Sequence, residues 1–355
     1  MNSLTTDEKL IPAKQLNDFC SRLFQTLGVP ADEADVNADN LVEADLAGVE
    51  SHGVSRMPIY LKRIRCGVVN PACSFKIVTE AAATAVIDAE NSMGAAVSKK
   101  IMEMTIQKAK KSGMALCVVR NSNHYGMASY YTKMATSHGM IGMSATNGPP
   151  RMAPWGGRDP YFGTNPFAVS IPANQELPIT ADMATSVVAR GKIIIAAKKN
   201  QTIPADWAMD RQGNFTTDPN EALVGTVLPF AGPKGSAIAL LIDTMTGVLA
   251  NSMFGKHLND MYANFEEPSW TSHYFSAIDI AAFQPVTDFC DHMDQMIREI
   301  KANTKAANVQ EIFLPGEIEL RRRSERLANG VPISAVVFED LKKEALVCGV
   351  PFDLN

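Results

Sequence analysis

The sequence predicts a mixed α/β or α+β fold, with helices and strands interleaved along the chain. Three observations carry this expectation. Apolar residues recur at helical spacing near the start, where Leu16, Phe19, Cys20, Leu23 and Leu27 share one face of Ala13 to Leu27. Two short apolar runs, Ala115 to Val119 and Met140 to Met143, have the length of buried strands. Segments of both kinds then alternate to the end of the chain, with no internal repeat and no low-complexity stretch.

Taken in order, Ala13 to Leu27 is a helix ended by Gly28 and Pro30. Ala31 to Ala47 is a second helix, with Ala34, Leu41, Val42 and Leu46 on its apolar face and Gly48 after it. Arg56 to Cys66 is a third, stopped by Gly67 and Asn70-Pro71. Strands follow at Phe75 to Thr79 and Ala83 to Asp88, then a long helix at Gly94 to Lys111. A helix-like run separates the two apolar runs of the centre. Phe167 to Ile171 and Ile179 to Ala181 read as strands, Ser186 to Lys199 as a helix and Gln201 to Asn220 as loop. Ser236 to Leu249 is a strongly apolar helix opened by Gly232-Pro233-Lys234-Gly235. A strand (Tyr274 to Ile278), a helix (Phe289 to Lys301), a short strand (Ile312 to Leu314) and two helices complete the chain.

Composition excludes several classes. The 355 residues suffice for two or three domains with a large core. A net charge of −5 offers no basic face to nucleic acid. No apolar run approaches the roughly 18 residues of a membrane span. The opening M-N-S-L-T-T-D-E-K-L has no basic region followed by an apolar core, so no secretory signal is expected. The six cysteines form no C-x-x-C pair and read as reduced thiols of a cytoplasmic protein. The 18 methionines read as core or interface filling. There is no G-x-G-x-x-G after a strand and no P-loop, and the histidine spacing suggests no metal site.

The residues suited to chemistry cluster where the apolar runs stop. His52 lies between Ser51 and Gly53, with Arg56 one helical turn on. Histidine exchanges protons near neutral pH, and arginine clamps a carboxylate through two parallel hydrogen bonds. Reduction of a 2-oxo acid needs both. The competing reading is helix capping by Ser51 or Ser55 beside a surface arginine. His124, framed by Asn121, Asn123, Tyr125 and Gly126, offers a second acid–base group or a structural histidine at a strand end. Asp182 either holds a histidine in one tautomer, bonds cofactor hydroxyls, or caps a helix. Lys234, between glycines at a helix start, suits a phosphate. Gly316, in Leu314-Pro315-Gly316-Glu317, is similarly placed, and ordinary turn chemistry competes for both. Arg321-Arg322-Arg323 reads as a solvated helix face.

In this order the clusters resemble the second, non-Rossmann malate/L-lactate dehydrogenase family, which includes sulfolactate and ureidoglycolate dehydrogenases, diketogulonate reductase and Δ1-piperideine-2-carboxylate reductase. The matching pieces are S-H-G-V-S-R from Ser51, N-H-Y-G from Asn123, P-W-G-G from Pro154 and G-T-N-P from Gly163. They continue with D-M-A-T from Asp182, G-P-K-G from Gly232 and P-G-E from Pro315. The resemblance implies a cytoplasmic NAD- or NADP-dependent oxidoreductase, a homodimer or larger, acting on a small 2-hydroxy or 2-oxo acid of malate or lactate type. Ureidoglycolate, keto-sugar acids and cyclic imines are the family's other substrate classes, and a non-catalytic binding protein is the rival from another class. It implies a mainly helical domain (1–74 with 285–355) and a mixed-sheet NAD(P)-binding domain (75–284). His52 and His124 fall on acid–base positions, with Ser51 and Asp182 as orienting partners and Arg56 as a substrate contact. Asp182, Met183, Ala184, Lys234, Gly235 and Gly316 fall on cofactor-contact segments. Gly148 stands where some members have a ligand-touching serine, so that contact does not carry over.

Overall fold

The computed structural model describes residues 8–354. Helices α1 (Ala13–Gln25), α2 (Ala31–Leu46) and α3 (Met57–Arg65) follow the expected apolar periodicity. Leu16, Phe19, Leu23, Leu41, Met57 and Leu61 are fully buried in one core, which also takes Val331, Ile333, Phe338 and Leu341 from the other end of the chain. Burying an aliphatic or aromatic side chain contributes roughly 1.5–3 kcal/mol, so this core fixes the helical layer on which α3 sits. Strand β1 (Glu8–Ile11) closes the layer by pairing antiparallel with β11 (Val331–Ser334), a pairing the sequence reading did not include.

The second layer is a seven-stranded sheet built from β2 (Lys76–Glu80), β3 (Thr84–Asp88), β4 (Met114–Ser122), β5 (Met140–Thr146), β6 (Phe167–Ile171), β7 (Ile179–Met183) and β10 (Thr271–Asp279). Its order is β2-β3-β4-β10-β5-β6-β7. Only β3 and β4 are parallel; the other pairs are antiparallel. The long helix α4 (Gly94–Ser112) supplies the crossover between the parallel pair and packs on β4 and β10. The short helix α5 (Ser129–Thr136) packs on β5 and β6. A second core joins these elements through Val97, Ile101, Cys117, Val119, Tyr131 and Phe275.

A third core, with Met152, Phe162, Ile193, Ala208, Val227 and Ala239, sits under a lobe the sequence reading did not separate. It joins α6 (Arg190–Lys198), β8 (Ala208–Met209), α7 (Pro219–Val224), β9 (Thr226–Val227) and α8 (Pro233–Asp243). Helices α9 (Val286–Lys301), α10 (Glu317–Asn329) and α11 (Ala335–Cys348) complete the chain. α9 holds the β6–β7 turn, because Asp294 accepts the backbone amides of Asn174, Gln175 and Glu176.

Four expectations need correction. The helix expected over Ser186 to Lys199 starts only at Arg190, because Val187 donates its amide to Leu228 and Ser186 bridges Pro229 in extended conformation. The segment read as loop over Gln201 to Asn220 contains β8 and the start of α7. The helix expected over Ser236 to Leu249 begins earlier, at Pro233, and widens into a π-helical turn over Thr244–Val248. There Gly247 packs against the carbonyl of Met253 and the side chain of Asn147, which leaves no room for a Cβ. Ile312 to Leu314 is no strand: Leu314 instead donates its amide to Glu317 at the start of α10.

The N-H-Y-G turn is fixed by packing as much as by its glycine. Gly126 has φ +78°, and a Cβ there would lie 1.7 Å from the Asn40 side-chain oxygen. We expect Gly126→Ala to destabilise the protein by about 2 kcal/mol or more. A urea midpoint that does not move would show that α2 and the turn are not locked together.

Candidate active site

S-H-G-V-S-R is a pair of 3-10 turns, Glu50–His52 and Val54–Arg56, laid over the end of α2. Asp45, buried in α2, accepts the amide of Val54 at 2.8 Å. A Cβ on Gly53 would meet that carboxylate at 1.8 Å, which explains the glycine. Loss of hydration raises the Asp45 pKa to about 8. From α10, Arg326 pairs with Glu50 at 2.7 Å and pins the first turn from outside. This turn presents His52, whose Nδ1 lies 3.0 Å from Ser51 Oγ. Arg56 donates Nε to the Ser51 carbonyl at 2.5 Å. Among the described residues no carboxylate pairs with the Arg56 guanidinium, and the ring of Tyr262 lies 5.5 Å from it.

β4 runs on to Ser122, three residues beyond its predicted end, and delivers His124 from the sheet layer. The rings of His52 and His124 stack at 5.6 Å between centroids, 26° from parallel. Tyr60, one turn after Arg56 on the same face of α3, places its hydroxyl 2.6 Å from His124 Nδ1. The Gly126 amide donates to that nitrogen at 3.3 Å. An imidazole nitrogen approached by a backbone N–H must be the acceptor, so the geometry assigns the ring proton to Nε2. Behind this loop His273 is fully buried, bonded to Thr146 (2.8 Å) and Ser122 (2.9 Å) and stacked on Tyr125 at 4.4 Å. It is a structural histidine.

Protonation follows from crowding. Loss of hydration, then the nearby Arg56 cation, lower the His52 pKa to about 4. The same two causes, followed by the neighbouring histidines, push His124 well below its ordinary value. Both rings are therefore neutral at pH 7.

Strand β7 gathers the remaining candidates. It extends two residues past its predicted end, so Asp182 and Met183 lie within it and Ala184 follows. The Asp182 carboxylate accepts the Ser129 amide at 2.8 Å, at the start of α5. It contacts neither catalytic candidate histidine; the orienting contacts come from Ser51 and Tyr60. Nor does Asp182 cap the helix that follows it, as the competing reading expected: α6 starts only at Arg190, and the Asp182 carboxylate is taken by the first amide of α5 instead. Loss of hydration raises its pKa against the pull of that amide and of Lys133. Thr185 passes its carbonyl to the Phe230 amide, and Gly235 packs so closely on Phe230 and Thr185 that a Cβ would clash with both carbonyls. Lys234 is exposed at the α8 N-terminus, with no acidic partner among the described residues. Gly316, at φ +87°, lies against Thr180, whose amide donates to Pro315. Gly148 follows β5, with its amide on Asn165 Oδ1 at 3.2 Å.

Two clusters thus form: Ser51, His52, Arg56 and His124 in one, and Asp182–Ala184, Lys234, Gly235 and Gly316 around β7 in the other. The 124–129 segment joins them through Ser129. Sequence reasoning missed Tyr60; its spacing of four from Arg56 on a helix was the available signal.

Known proteins match nearly the whole of this chain. The profile described as malate/L-lactate dehydrogenase matches residues 11–342. The malate dehydrogenase of Pyrococcus horikoshii is 39% identical over 348 residues, 96% of each chain. The solved sulfolactate dehydrogenase of Methanocaldococcus jannaschii superimposes with a TM-score of 0.91 at 38% identity, covering 96% of this chain and 98% of that one. Ureidoglycolate dehydrogenase (NAD(+)) of Escherichia coli O157:H7 is 33% identical over 336 residues, 95% of this chain and 96% of that protein.

A lowered histidine pKa has a thermodynamic consequence. Between pH 6.5 and about 4 the unfolded chain binds a proton at position 52 that the folded one resists. The contribution of His52 to stability is complete above pH 6.5 and is lost as pH falls through that window. The urea midpoint of wild type should therefore fall further than that of His52→Gln as pH drops from 7.5 to 4.5; parallel curves would contradict the shift.

Proposed function

The chain belongs to the malate/L-lactate dehydrogenase family, and within it we propose that His124 transfers the proton while Arg56 holds the substrate carboxylate. The protein is an oxidoreductase that acts on a 2-hydroxy acid with NAD or NADP. The single observation that supports the assignment of roles is the stacked histidine pair beside an arginine that has no acidic partner among the described residues.

The residues around β7 fit a dinucleotide. Lys234 and the α8 N-terminus together suit a phosphate. Gly235 and Gly316 let backbone come close, and Asp182, Met183 and Ala184 line the strand end between them. When bound, the reduced nicotinamide supplies the hydride for C2 of a 2-oxo acid. Arg56 has Nε committed to the Ser51 carbonyl, which leaves its two terminal amino groups for a bidentate carboxylate. His124 has Nδ1 engaged by Tyr60 and Gly126, which leaves Nε2 for the substrate oxygen. His52, steadied by Ser51, hydrogen-bonds the same oxygen and fixes its direction. In oxidation the neutral His124 ring accepts the hydroxyl proton at Nε2 once its own proton has moved to Nδ1.

The substrate reading is a small acid of malate or lactate type. A homodimer or larger assembly is supported by Leu240, Leu241, Val248 and Leu249, which α8 and the π turn leave 52–59% exposed. A cytoplasmic location is supported by six free cysteines, three of them buried.

The test is turnover of oxaloacetate, pyruvate, sulfopyruvate and oxalurate with NADH and with NADPH. Reduction of at least one 2-oxo acid is expected. On that substrate His124→Ala should lower kcat by about 10²–10⁴, and Arg56→Met should chiefly raise KM. Oxidation should keep its kcat/KM as pH falls below 6.5, because the histidines stay neutral there. A His124→Ala variant with full turnover would remove His124 from proton transfer.

A further inference from the structure

Beside His124 the structure contains a small cavity of about 20 Å³. Tyr60, Arg63, Met93, Asn123, His124 and Ser269 are among its walls. Two of these residues carry an unpartnered polar atom. Arg63 is 2% exposed; its terminal nitrogens donate to the carbonyls of Met261, Asn264 and Glu267, but Nε–H meets no protein acceptor. Asn123 is 6% exposed; its Nδ2 donates to the carbonyls of Asn91 and Ser92 and to Asn91 Oδ1, but its own Oδ1 meets no protein donor. A buried orphan donor or acceptor costs about 1–3 kcal/mol. Here a residue with an orphan donor and a residue with an orphan acceptor, each among the described residues, line one cavity whose volume suffices for about one water, which needs roughly 10–15 Å³ on this measure. Water accepts from one and donates to the other, and the Tyr60 hydroxyl lies in the same wall.

We propose that this cavity holds ordered water bonded to Arg63 Nε, Asn123 Oδ1 and Tyr60 Oη, and that water, Tyr60 and His124 Nδ1 form a proton relay to the substrate oxygen. The relay rests on His124 as the proton-transfer residue; the water site does not. During reduction the substrate carbonyl oxygen gains a bond to the proton leaving His124 Nε2. The Tyr60 proton moves to Nδ1, which gives up the long 3.3 Å contact from the Gly126 amide while that tautomer lasts, so the ring stays neutral. The Tyr60 oxygen takes a proton from the water, which is replenished from solvent. Oxidation runs the same transfers in reverse, and the ring regains its Nε2–H form by exchange when the product leaves. Burial raises the Tyr60 pKa, so the phenol is protonated at rest and passes one proton as it receives another. Arg63 and Asn123 act as positioning residues, because they hold the water and touch no reacting atom.

The experiment has two arms. A high-resolution crystal structure of the native protein should contain water within hydrogen-bond distance of both Arg63 Nε and Asn123 Oδ1. A dry cavity, or one filled by part of a bound substrate, overturns the proposal. The second arm measures solvent deuterium effects on wild type and Tyr60→Phe with 4-deuterated reduced cofactor, so that the chemical step is followed. Wild type should give a curved proton inventory. Tyr60→Phe should lose about 10–100-fold in kcat with KM within about threefold, and its inventory should become linear. A linear wild-type inventory, or a variant with unchanged rate and curvature, overturns the relay. A merely structural tyrosine would lower the rate without changing the curvature. Absence of wild-type turnover on every 2-oxo acid would instead count against the proposed function, while the crystallographic arm would still decide the water site.

Discussion

The 2.6 Å contact between Tyr60 Oη and His124 Nδ1 is where the two layers of this protein meet. Tyr60 belongs to α3, which is anchored in the helical core by Met57 and Leu61. His124 leaves the sheet at the end of β4, which is anchored by Cys117 and Val119 in a different core. Neither layer alone holds both histidines of the stacked pair. One hydrogen bond, backed by the Gly126 amide and the tight contact of Gly126 with Asn40, brings His52 and His124 to stacking distance. The placement of the layers sets the pair: His124 lies just past the end of β4, so where that strand ends decides where the ring is delivered.

The same economy of contacts joins the histidine cluster to the residues around β7. Asp182 reaches from β7 to the first amide of α5, five residues after His124. Gly316 and Gly235 approach β7 and its extension from two different helices. A Cβ at either position would push its helix away from the strand. The two glycines thus fix how α8 and α10 sit against this edge of the sheet.

Much of this was legible beforehand where local rules operate. The apolar spacing of α1 to α4 and the strand runs before His124 and Gly148 are set by neighbours within a turn or two. The seven short motifs marked Ser51, His52, Arg56 and Asp182 as candidates, although none of them fixes a contact. What stayed hidden depends on partners distant in sequence. Pairing of β1 with β11 spans the whole chain, and the truncation of α6 is imposed by residues 228–230. The π turn after α8 is imposed by Met253 and Asn147. Asp182 looked like a partner for a histidine because both are suited to it chemically; only the fold reveals that Ser129 is nearer. Tyr60 was invisible for the opposite reason, since a tyrosine inside an amphipathic helix is ordinary core chemistry until its hydroxyl meets His124.

The most direct test of this account is a crystal structure of the protein with reduced cofactor and oxamate, an unreactive analogue of a 2-oxo acid. The account predicts the oxamate carboxylate on the terminal nitrogens of Arg56, its amide carbonyl oxygen within hydrogen-bond distance of His124 Nε2, and the cofactor phosphates beside Lys234. Oxamate bound elsewhere, or with His124 Nε2 turned away from it, would contradict the central claim that the Tyr60–His124 contact builds the site of proton transfer.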